Sequence, residues 1–259
     1  MVKERIRNAF PPVIMGAIII ALLQTQIIHR IFHLSLLQLP LPSTIVRTIA
    51  ENIPDIGNNM LVTLEPALSG ILLGSVIGYC VALFVTAFPN GGYGALFMMT
   101  IINSLPIVAL APLTNKWFEI DFISKLVVIT IAACGAMAVN AFKGLNDLPE
   151  NTLAMLRVSG ASKVYILTKL RIPASMPSVF TAFRISIPAA MLATIISEFF
   201  ASETAGLGFM IKYSLKVGNH KHIGWAYIVA VAVLSIVMYL IVCQVEKRAI
   251  KWHVSQRLY

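Results

Sequence analysis

Six long apolar runs limit this chain to a structure that a lipid bilayer can surround. Each run approaches or exceeds the roughly 20 residues that a helix needs to cross the hydrocarbon core. The runs lie at residues 11–29, 64–87, 93–113, 120–142, 177–198 and 223–245. Because lipid offers the backbone no hydrogen-bond partner, each span must be helical. The expected fold class is an all-α integral membrane protein with six transmembrane helices.

The composition points the same way, since 58% of the 259 residues are hydrophobic and only 12% are charged. No water-soluble domain of this size tolerates so much apolar surface. The basic start of the chain, followed by an apolar run, is typical of a signal peptide. That run is long enough to span, however, and no small-residue cleavage site follows it, so we expect a retained membrane anchor. The three cysteines stand singly in apolar runs, which favours neither disulfides nor a zinc site.

The distribution of Lys and Arg predicts which side of the membrane is cytoplasmic. With six spans, both termini share one side with the loop at residues 143–176. That side carries twelve Lys or Arg and four acidic residues, whereas the opposite side carries seven of each, with Arg184 inside a span. The positive-inside rule therefore places both termini and this loop in the cytoplasm. The net charge of +9 is thus explained by the excess of Lys and Arg on the cytoplasmic side and not by one basic binding face. No nucleic-acid partner is therefore expected.

The 143–176 loop is too basic to be a seventh span. Its stretch from residue 157 to residue 171 holds four Lys or Arg, and each would cost roughly 2.5–3.5 kcal/mol at mid-bilayer. Gly160 separates two short helical patterns, Ser162 can cap the second, and Pro173 is expected to end it. Helices this short are marginal alone in water. The loop therefore either folds back on its own spans or docks on a cytosolic partner.

This loop resembles the corresponding loop of permeases from binding-protein-dependent ABC importers. Those permeases carry the pattern E-A-A-x-x-x-G, followed by nine residues and then I-x-L-P. The register Ala154, Met155, Leu156, Gly160, Leu170, Ile172, Pro173 keeps that spacing. The segments "LPIVALAPLTNKWFEIDFISKLVVI", "RVSGASKVYILTKLRIPASMPSVFTAFRIS", "SEFFASETAGLGFMI" and "VEKRAIKWH" further resemble the branch for nitrate, bicarbonate, taurine, aliphatic sulfonates and pyrimidine precursors. The likeness covers residues 60–253.

The resemblance implies a single transmembrane permease domain over residues 1–259, of the type I importer kind. The helix at residues 161–170 looks like the coupling helix that sits in a cleft of a cytosolic ATPase. The residues expected to contact that ATPase are Arg157, Gly160, Ala161, Ser162, Lys163, Tyr165, Leu170 and Pro173. One departure is that Ala154 stands where the motif has Glu. The resemblance therefore leaves open whether the permease forms a homodimer or is one half of a heterodimer.

Further partners follow from the same resemblance: a second permease copy, two ATPase subunits, and a substrate-binding protein outside the bacterial inner membrane. The chain has no GxxxxGK[ST] motif, so ATP and Mg would be bound by the ATPase and no cofactor by this chain. No catalytic motif indicates an enzyme. The expected cargo is a small anionic solute or a vitamin precursor. The alternatives are a stand-alone secondary transporter or channel, and a membrane scaffold without transport.

Several polar residues inside the spans are candidates for lining a translocation path. They are Asn103, Ser104, Asn140, Arg184, Ser186, Ser197 and Glu198. Taken singly, each is also typical of an interhelical hydrogen bond. Arg184 could reach the cytoplasmic surface, pair with an acid or line the path. Glu198 is either an outer gate residue or, more simply, a surface acid.

Other residues predict the packing of the helices. Gly70, Gly74 and Gly78 share one helix face, and such faces let two helices approach closely. Three prolines, Pro106, Pro112 and Pro188, are expected to kink their spans. His29 and His33 share a helix face, but no carboxylate or thiol lies near them in the sequence, so no metal site is expected.

Overall fold

Helices account for all the regular structure in a computed structural model that describes residues 2–201, 204–217 and 221–250. The helices are α1 (Val2–Gln24), α2 (Ile27–Phe32), α3 (Pro42–Glu51), α4 (Ile53–Ala87), α5 (Pro89–Asn103), α6 (Ile107–Trp117), α7 (Asp121–Asn146), α8 (Glu150–Val158), α9 (Lys163–Ile166), α10 (Ile172–Phe200), α11 (Leu207–Lys216) and α12 (Lys221–Ala249). No strand occurs in the described ranges. The all-α prediction is confirmed.

Four stretches are long and apolar enough to cross a membrane: Ile53–Ala87, Asp121–Asn146, Lys163–Phe200 and His222–Ala249. A bent pair, Gly94–Asn103 with Ile107–Trp117, raises the number to five at most among the described residues. The predicted six spans are therefore not confirmed. The predicted run at 11–29 is not one continuous helix, because α1 ends at Gln24 and Gln26 adopts a left-handed conformation with φ of 60°.

The predicted span at 93–113 is also wrong as a single helix. It breaks between Asn103 and Ile107, and its two parts are bent by 93°. Pro106 explains the break, because it has no backbone N–H to donate and disfavours the helical conformation in the residue before it. Pro106 itself is extended, with ψ of 110°. By contrast, α6 and α10 continue through Pro112 and Pro188.

The expectation that a helix ends before Pro173 is contradicted as well. A π-helical turn, Leu167–Arg171, joins α9 directly to α10. In this turn the Ile172 N–H donates to the Leu167 carbonyl five residues back. The wider turn starts a new α-helical register at Ile172, which puts Pro173 in a first turn, where its missing N–H is tolerated. The result is one helical stretch of 38 residues, Lys163–Phe200.

The face of three glycines on α4 lies against α7. A Cβ added to Gly74 would lie 2.5 Å from the Thr130 carbonyl oxygen and 2.9 Å from the Ala133 Cβ. Gly70 similarly faces Ile129, and Gly78 faces the Cys134 carbonyl. The two backbones can approach this closely because the glycines have no side chain.

Two buried clusters hold α10, α11 and α12 to this pair. The larger one contains Ile129, Ile187, Met191, Leu207 and Tyr227, and so joins α7, α10, α11 and α12. The smaller one joins α4, α7 and α10 through Ala82, Met137, Ala141, Leu145 and Ala182.

We name the two ends of the bundle after the elements found there. At the loop end, α4 and α7 finish and α10 begins. The opposite end, where α11 lies, is the α11 end.

The glycine face generates a stability prediction. Gly74→Ala should lower the midpoint of thermal unfolding of the solubilised chain by about 5 °C, because overpacking costs on the order of 1–3 kcal/mol. Gly57→Ala is the matched control in the same helix, since a Cβ there meets nothing within 4 Å. It should leave the midpoint unchanged or raise it, because alanine is the better helix former. Equal midpoints for the two variants would contradict the close packing of α4 on α7.

Candidate functional site

In the 147–173 loop a glycine turn separates α8 from α9, as predicted, although the helix that begins with α9 continues past Pro173. Gly160 has φ of +76°, and the following Ala161 N–H donates to the Leu156 carbonyl at 3.0 Å. This bond closes the end of α8, and a residue with a side chain would be strained at that φ. Ser162 caps α9, because its Oγ accepts the Tyr165 N–H at 3.2 Å.

Most of the predicted contact residues in this loop reach the surface. Arg157, Gly160, Ser162, Lys163, Tyr165 and Pro173 are exposed, and Ala161 and Leu170 are half-buried. Between them stand exposed apolar side chains that are not among the predicted contact residues. Val158 is 90% exposed, Val164 70% and Met155 65%. We call these three residues, with Tyr165, Arg157 and Lys163, the loop surface. An apolar patch with a charged rim is typical of an interaction site.

Arg171 fastens the loop to two spans. Its Nη1 donates to the Leu145 carbonyl at 2.9 Å and to Asn146 Oδ1 at 2.6 Å, both at the end of α7. The Asn146 amide in turn donates to Thr86 Oγ1 of α4 at 3.2 Å. Ile166 adds a buried apolar contact. These contacts link the loop to α7 directly and to α4 through Asn146.

The candidate path residues do not meet in one place. Asn103 and Ser104 lie at the break between α5 and α6 and are exposed. Asn103 lies against α7, where a Cβ on Gly135 would approach its Cβ to 2.6 Å. The Ser104 hydroxyl donates to the Thr100 carbonyl at 2.9 Å.

The other candidates on α7 and α10 lie mainly inside the bundle. Asn140 is half-buried and donates to the Ala136 carbonyl of its own helix at 2.8 Å. Ser186 and Ser197 are fully buried, and their hydroxyls have no hydrogen-bond partner within the part of the chain that the structure describes. Among the candidate path residues, therefore, only Asn103 and Ser104, at the break between α5 and α6, are exposed.

Arg184 forms an ion pair at the loop end. Its Nη1 lies 3.2 Å from Glu246 Oε2, and its Nη2 donates to Thr181 Oγ1 at 3.1 Å. The two charged side chains are 30% and 14% exposed, which leaves the pair partly shielded from water. Of the three alternatives for Arg184, the structure thus favours pairing. The pair joins α10 to the last turn of α12.

Glu198 is not a surface acid. Its side chain is 1% exposed, and its Oε2 accepts the Gly208 N–H at 2.6 Å in the first turn of α11. Gly206, with φ of +106°, lies so close that an added Cβ would be 2.7 Å from the Glu198 carboxyl carbon. An anion at a helix N-terminus is favoured by the unpaired N–H groups and by the helix dipole.

Two further acceptors from α4 complete this cap. Asn59 Oδ1 accepts the Gly206 N–H at 2.8 Å, and Thr63 Oγ1 accepts the Leu207 N–H at 2.9 Å. Sequence reasoning missed both residues. Their spacing of four residues, on the helix that carries the glycine face, is the signal that could have found them. We call Asn59, Thr63 and Glu198 the α11 cap.

More polar contacts at the α11 end were also missed. The Tyr227 hydroxyl donates to the Asp55 carboxylate, which joins α12 to α4. Lys212 of α11 donates to the Phe199 carbonyl at 2.7 Å. Burial, and then the neighbouring charge of Lys216, lower the pKa of its ammonium. Lys125 is only 2% exposed in α7, although it falls inside a predicted span.

The described residues hold no group of three or more His, Cys, Asp or Glu that could bind a metal ion. His29 is buried, and its Nε2 lies 2.6 Å from the Leu39 carbonyl oxygen. All three cysteines are unpaired.

Residues 70–251, more than half of the chain, match the family of binding-protein-dependent transport system inner membrane components. The chain belongs to this family. It is therefore a transmembrane permease component of a binding-protein-dependent ABC importer, as the resemblance of its loop predicted.

Individual proteins are similar to this permease over different lengths. A protein of Methanocaldococcus jannaschii, provisionally named an ABC transporter permease, is 25% identical over 62% of this chain and 61% of its own length. A Bacillus subtilis protein provisionally named the aliphatic sulfonates transport permease SsuC is 25% identical, over 93% of this chain and 87% of its own. The formylaminopyrimidine transport permease ThiX of Halalkalibacterium halodurans is 24% identical, over 84% and 87%.

The permease also resembles a chain from the inward-facing MetNI methionine ABC transporter. The TM-score is 0.60 at 18% identity, and the match covers 81% of this chain and 98% of that one. At this identity the similarity supports the shared fold.

The α11 cap generates the second prediction. Glu198→Ala removes a charge-assisted hydrogen bond, so amide hydrogen exchange over residues 207–211 of the permease should become about tenfold faster. Glu65→Ala is the control, because Glu65 is an exposed carboxylate on α4. It should leave exchange in this segment unchanged. Unaltered exchange in the Glu198 variant would mean that the carboxylate does not hold α11.

Proposed function

We propose that this permease forms half of the membrane path of an ATP-driven importer and that the 147–173 loop docks on a separate cytosolic ATPase. The observation that carries the proposal is the loop surface, with Val158, Val164 and Met155 largely exposed beside Arg157 and Lys163. Apolar side chains on a basic segment outside the lipid need a protein to cover them. An apolar cleft lined by carboxylates fits that surface.

The anchor at Arg171 supports a mechanical role for the loop. A push on α9 reaches α10 through the π-helical turn, and it reaches α7 and α4 through Leu145, Asn146 and Thr86. Of these helices, α4 and α10 each pack extensively against α7. Closure of the ATPase would therefore tilt the spans as a rigid unit instead of bending the loop alone.

The transport path lies, on this proposal, between two permease chains. The break between α5 and α6 exposes Asn103 and Ser104 and leaves backbone groups without helical partners. Such groups cannot face lipid, where each unsatisfied group costs several kcal/mol. A second permease chain that covers this face, with water between the two, would satisfy them. Either an identical copy or a related chain fits.

The proposed cargo is a small anionic solute or a vitamin precursor. The names of two relatives, which refer to aliphatic sulfonates and to formylaminopyrimidine, support this range. A binding protein on the outer side would deliver the cargo. ATP and Mg would be held by the ATPase, because the chain has no phosphate-binding loop motif.

Reconstitution tests the proposal. Proteoliposomes that hold the permease and its ATPase should take up cargo only when ATP, Mg and the loaded binding protein are all supplied. A non-hydrolysable ATP analogue is the control and should give no uptake. A panel of sulfonates, nitrate and pyrimidine precursors would identify the cargo. Uptake by the chain alone, driven by an ion gradient, would instead identify a secondary transporter.

The glycine turn provides a sharper test of coupling. Gly160→Glu places a bulky acid at a φ of +76° and adds a negative charge between Arg157 and Lys163, so ATP-driven uptake should fall at least tenfold. A Cβ at Gly160 meets nothing within 4 Å, so the cost to stability is limited to the backbone strain of about 1–2 kcal/mol, and the thermal midpoint should fall by only a few degrees. Asn58→Glu, an exposed position at the α11 end, is the control. Normal uptake by the Gly160 variant would argue against docking through this loop.

A further inference from the structure

A cavity of about 730 Å³ opens at the loop end, between the end of α4 and the 147–173 loop. The wall from α4 consists of Thr86, Ala87 and Phe88. The wall from the loop runs from Arg157 to Arg171. This volume is typical of a ligand site and far exceeds that of a packing defect.

Three cations line the cavity: Arg157, Lys163 and Arg171. No acidic residue is among its described lining residues. Arg171 is held by uncharged oxygens of Leu145 and Asn146. Neither Arg157 nor Lys163 forms an ion pair with any residue that the structure describes. Three positive charges around one open cavity repel one another, and an anion in the cavity would relieve that repulsion.

The remaining lining is apolar and lies where a span ends. Phe88 is 62% exposed directly after Ala87, the last residue of α4. Val164 and Leu167 line the loop side. A ligand that fits this cavity therefore combines an anionic head with an apolar part. It must also be found at the edge of a membrane.

We propose that this cavity binds the phosphate headgroup of an anionic phospholipid from the adjoining leaflet. Basic pockets between helices at the membrane surface suit such headgroups, and each Lys or Arg near an anionic surface strengthens the attraction. The acyl chains would lie along Phe88 and the outer face of α4. This inference goes beyond the proposed function and needs neither the ATPase nor a cargo. It concerns the free permease, in which no ATPase covers the Arg157 and Lys163 that the loop surface shares with the cavity.

Lipid titration of the purified full-length permease in neutral detergent, followed by native mass spectrometry, tests the site. Phosphatidylglycerol should bind at least tenfold more tightly than phosphatidylcholine with the same acyl chains. Arg157→Gln and Lys163→Gln should each weaken phosphatidylglycerol binding about fivefold, and together about 25-fold. The charge-preserving pair Arg157→Lys with Lys163→Arg should stay within about twofold, which shows that charge and not folding is measured.

Lys169→Gln is the matched control, because Lys169 is an exposed cation of the same loop that does not line the cavity. It should change binding less than twofold. An equal loss of phosphatidylglycerol binding in this variant would mean that general surface charge causes the effect, and it would overturn the assignment of lipid binding to the cavity. Unchanged binding in the double Gln variant would overturn it directly. Displacement of phosphatidylglycerol by inorganic phosphate at about 1 mM would assign the cavity to a free anion instead of a lipid.

Discussion

The close approach of α4 and α7 sets the geometry of the whole bundle. In lipid, helices gain little from burying apolar side chains against one another, so association depends on tight packing and on polar contacts. Gly70, Gly74 and Gly78 bring the α4 backbone against Thr130 and Cys134 of α7. Helix α7 then packs against α5, α6 and α10 on its other faces. A side chain on the glycine face would separate α4 from the helix that positions the rest.

Polar contacts at both ends of the bundle depend on this pair. At the loop end, Arg171 bonds to the end of α7, and Asn146 reaches Thr86 of α4. At the α11 end, Asn59 and Thr63 of α4 cap α11. Because α4 spans the full distance between these contacts, the proposed coupling would carry a tilt of α4 from one end of the bundle to the other. This is the kind of rigid-body link that a gated path needs.

The sequence predicts the parts of this structure that follow from local chemistry. The apolar runs at 64–87, 120–142 and 223–245 overlap the spans Ile53–Ala87, Asp121–Asn146 and His222–Ala249, because length and hydropathy suffice to find a span there. They miss the first eleven residues of α4, which are more polar. Gly160 and Ser162 mark the turn in the loop, since a positive φ and an N-cap have strong residue preferences.

What the sequence does not predict depends on contacts between distant residues. Pro173 predicts the end of a helix, but the π-helical turn before it starts a new register, and Arg171 of that turn bonds to the distant end of α7. Pro106 signals a kink but not a bend of 93°. Glu198 looks like a surface acid until α11 folds back over it and supplies the Gly208 N–H. The burial of a carboxylate cannot be inferred before its partner helix is placed.

The composition of the loop also constrains the ATPase that would receive it. Where related permeases carry the motif Glu, this chain has the exposed Ala154, and no acidic residue occurs from residue 151 to residue 176. On the proposed docking, the charged part of the interface would therefore come from cations, with Arg157 and Lys163 beside the apolar Val158 and Val164. A partner selected for a Glu at this corner would place a cation opposite it and would repel these residues. The matching ATPase should instead present carboxylates around an apolar cleft.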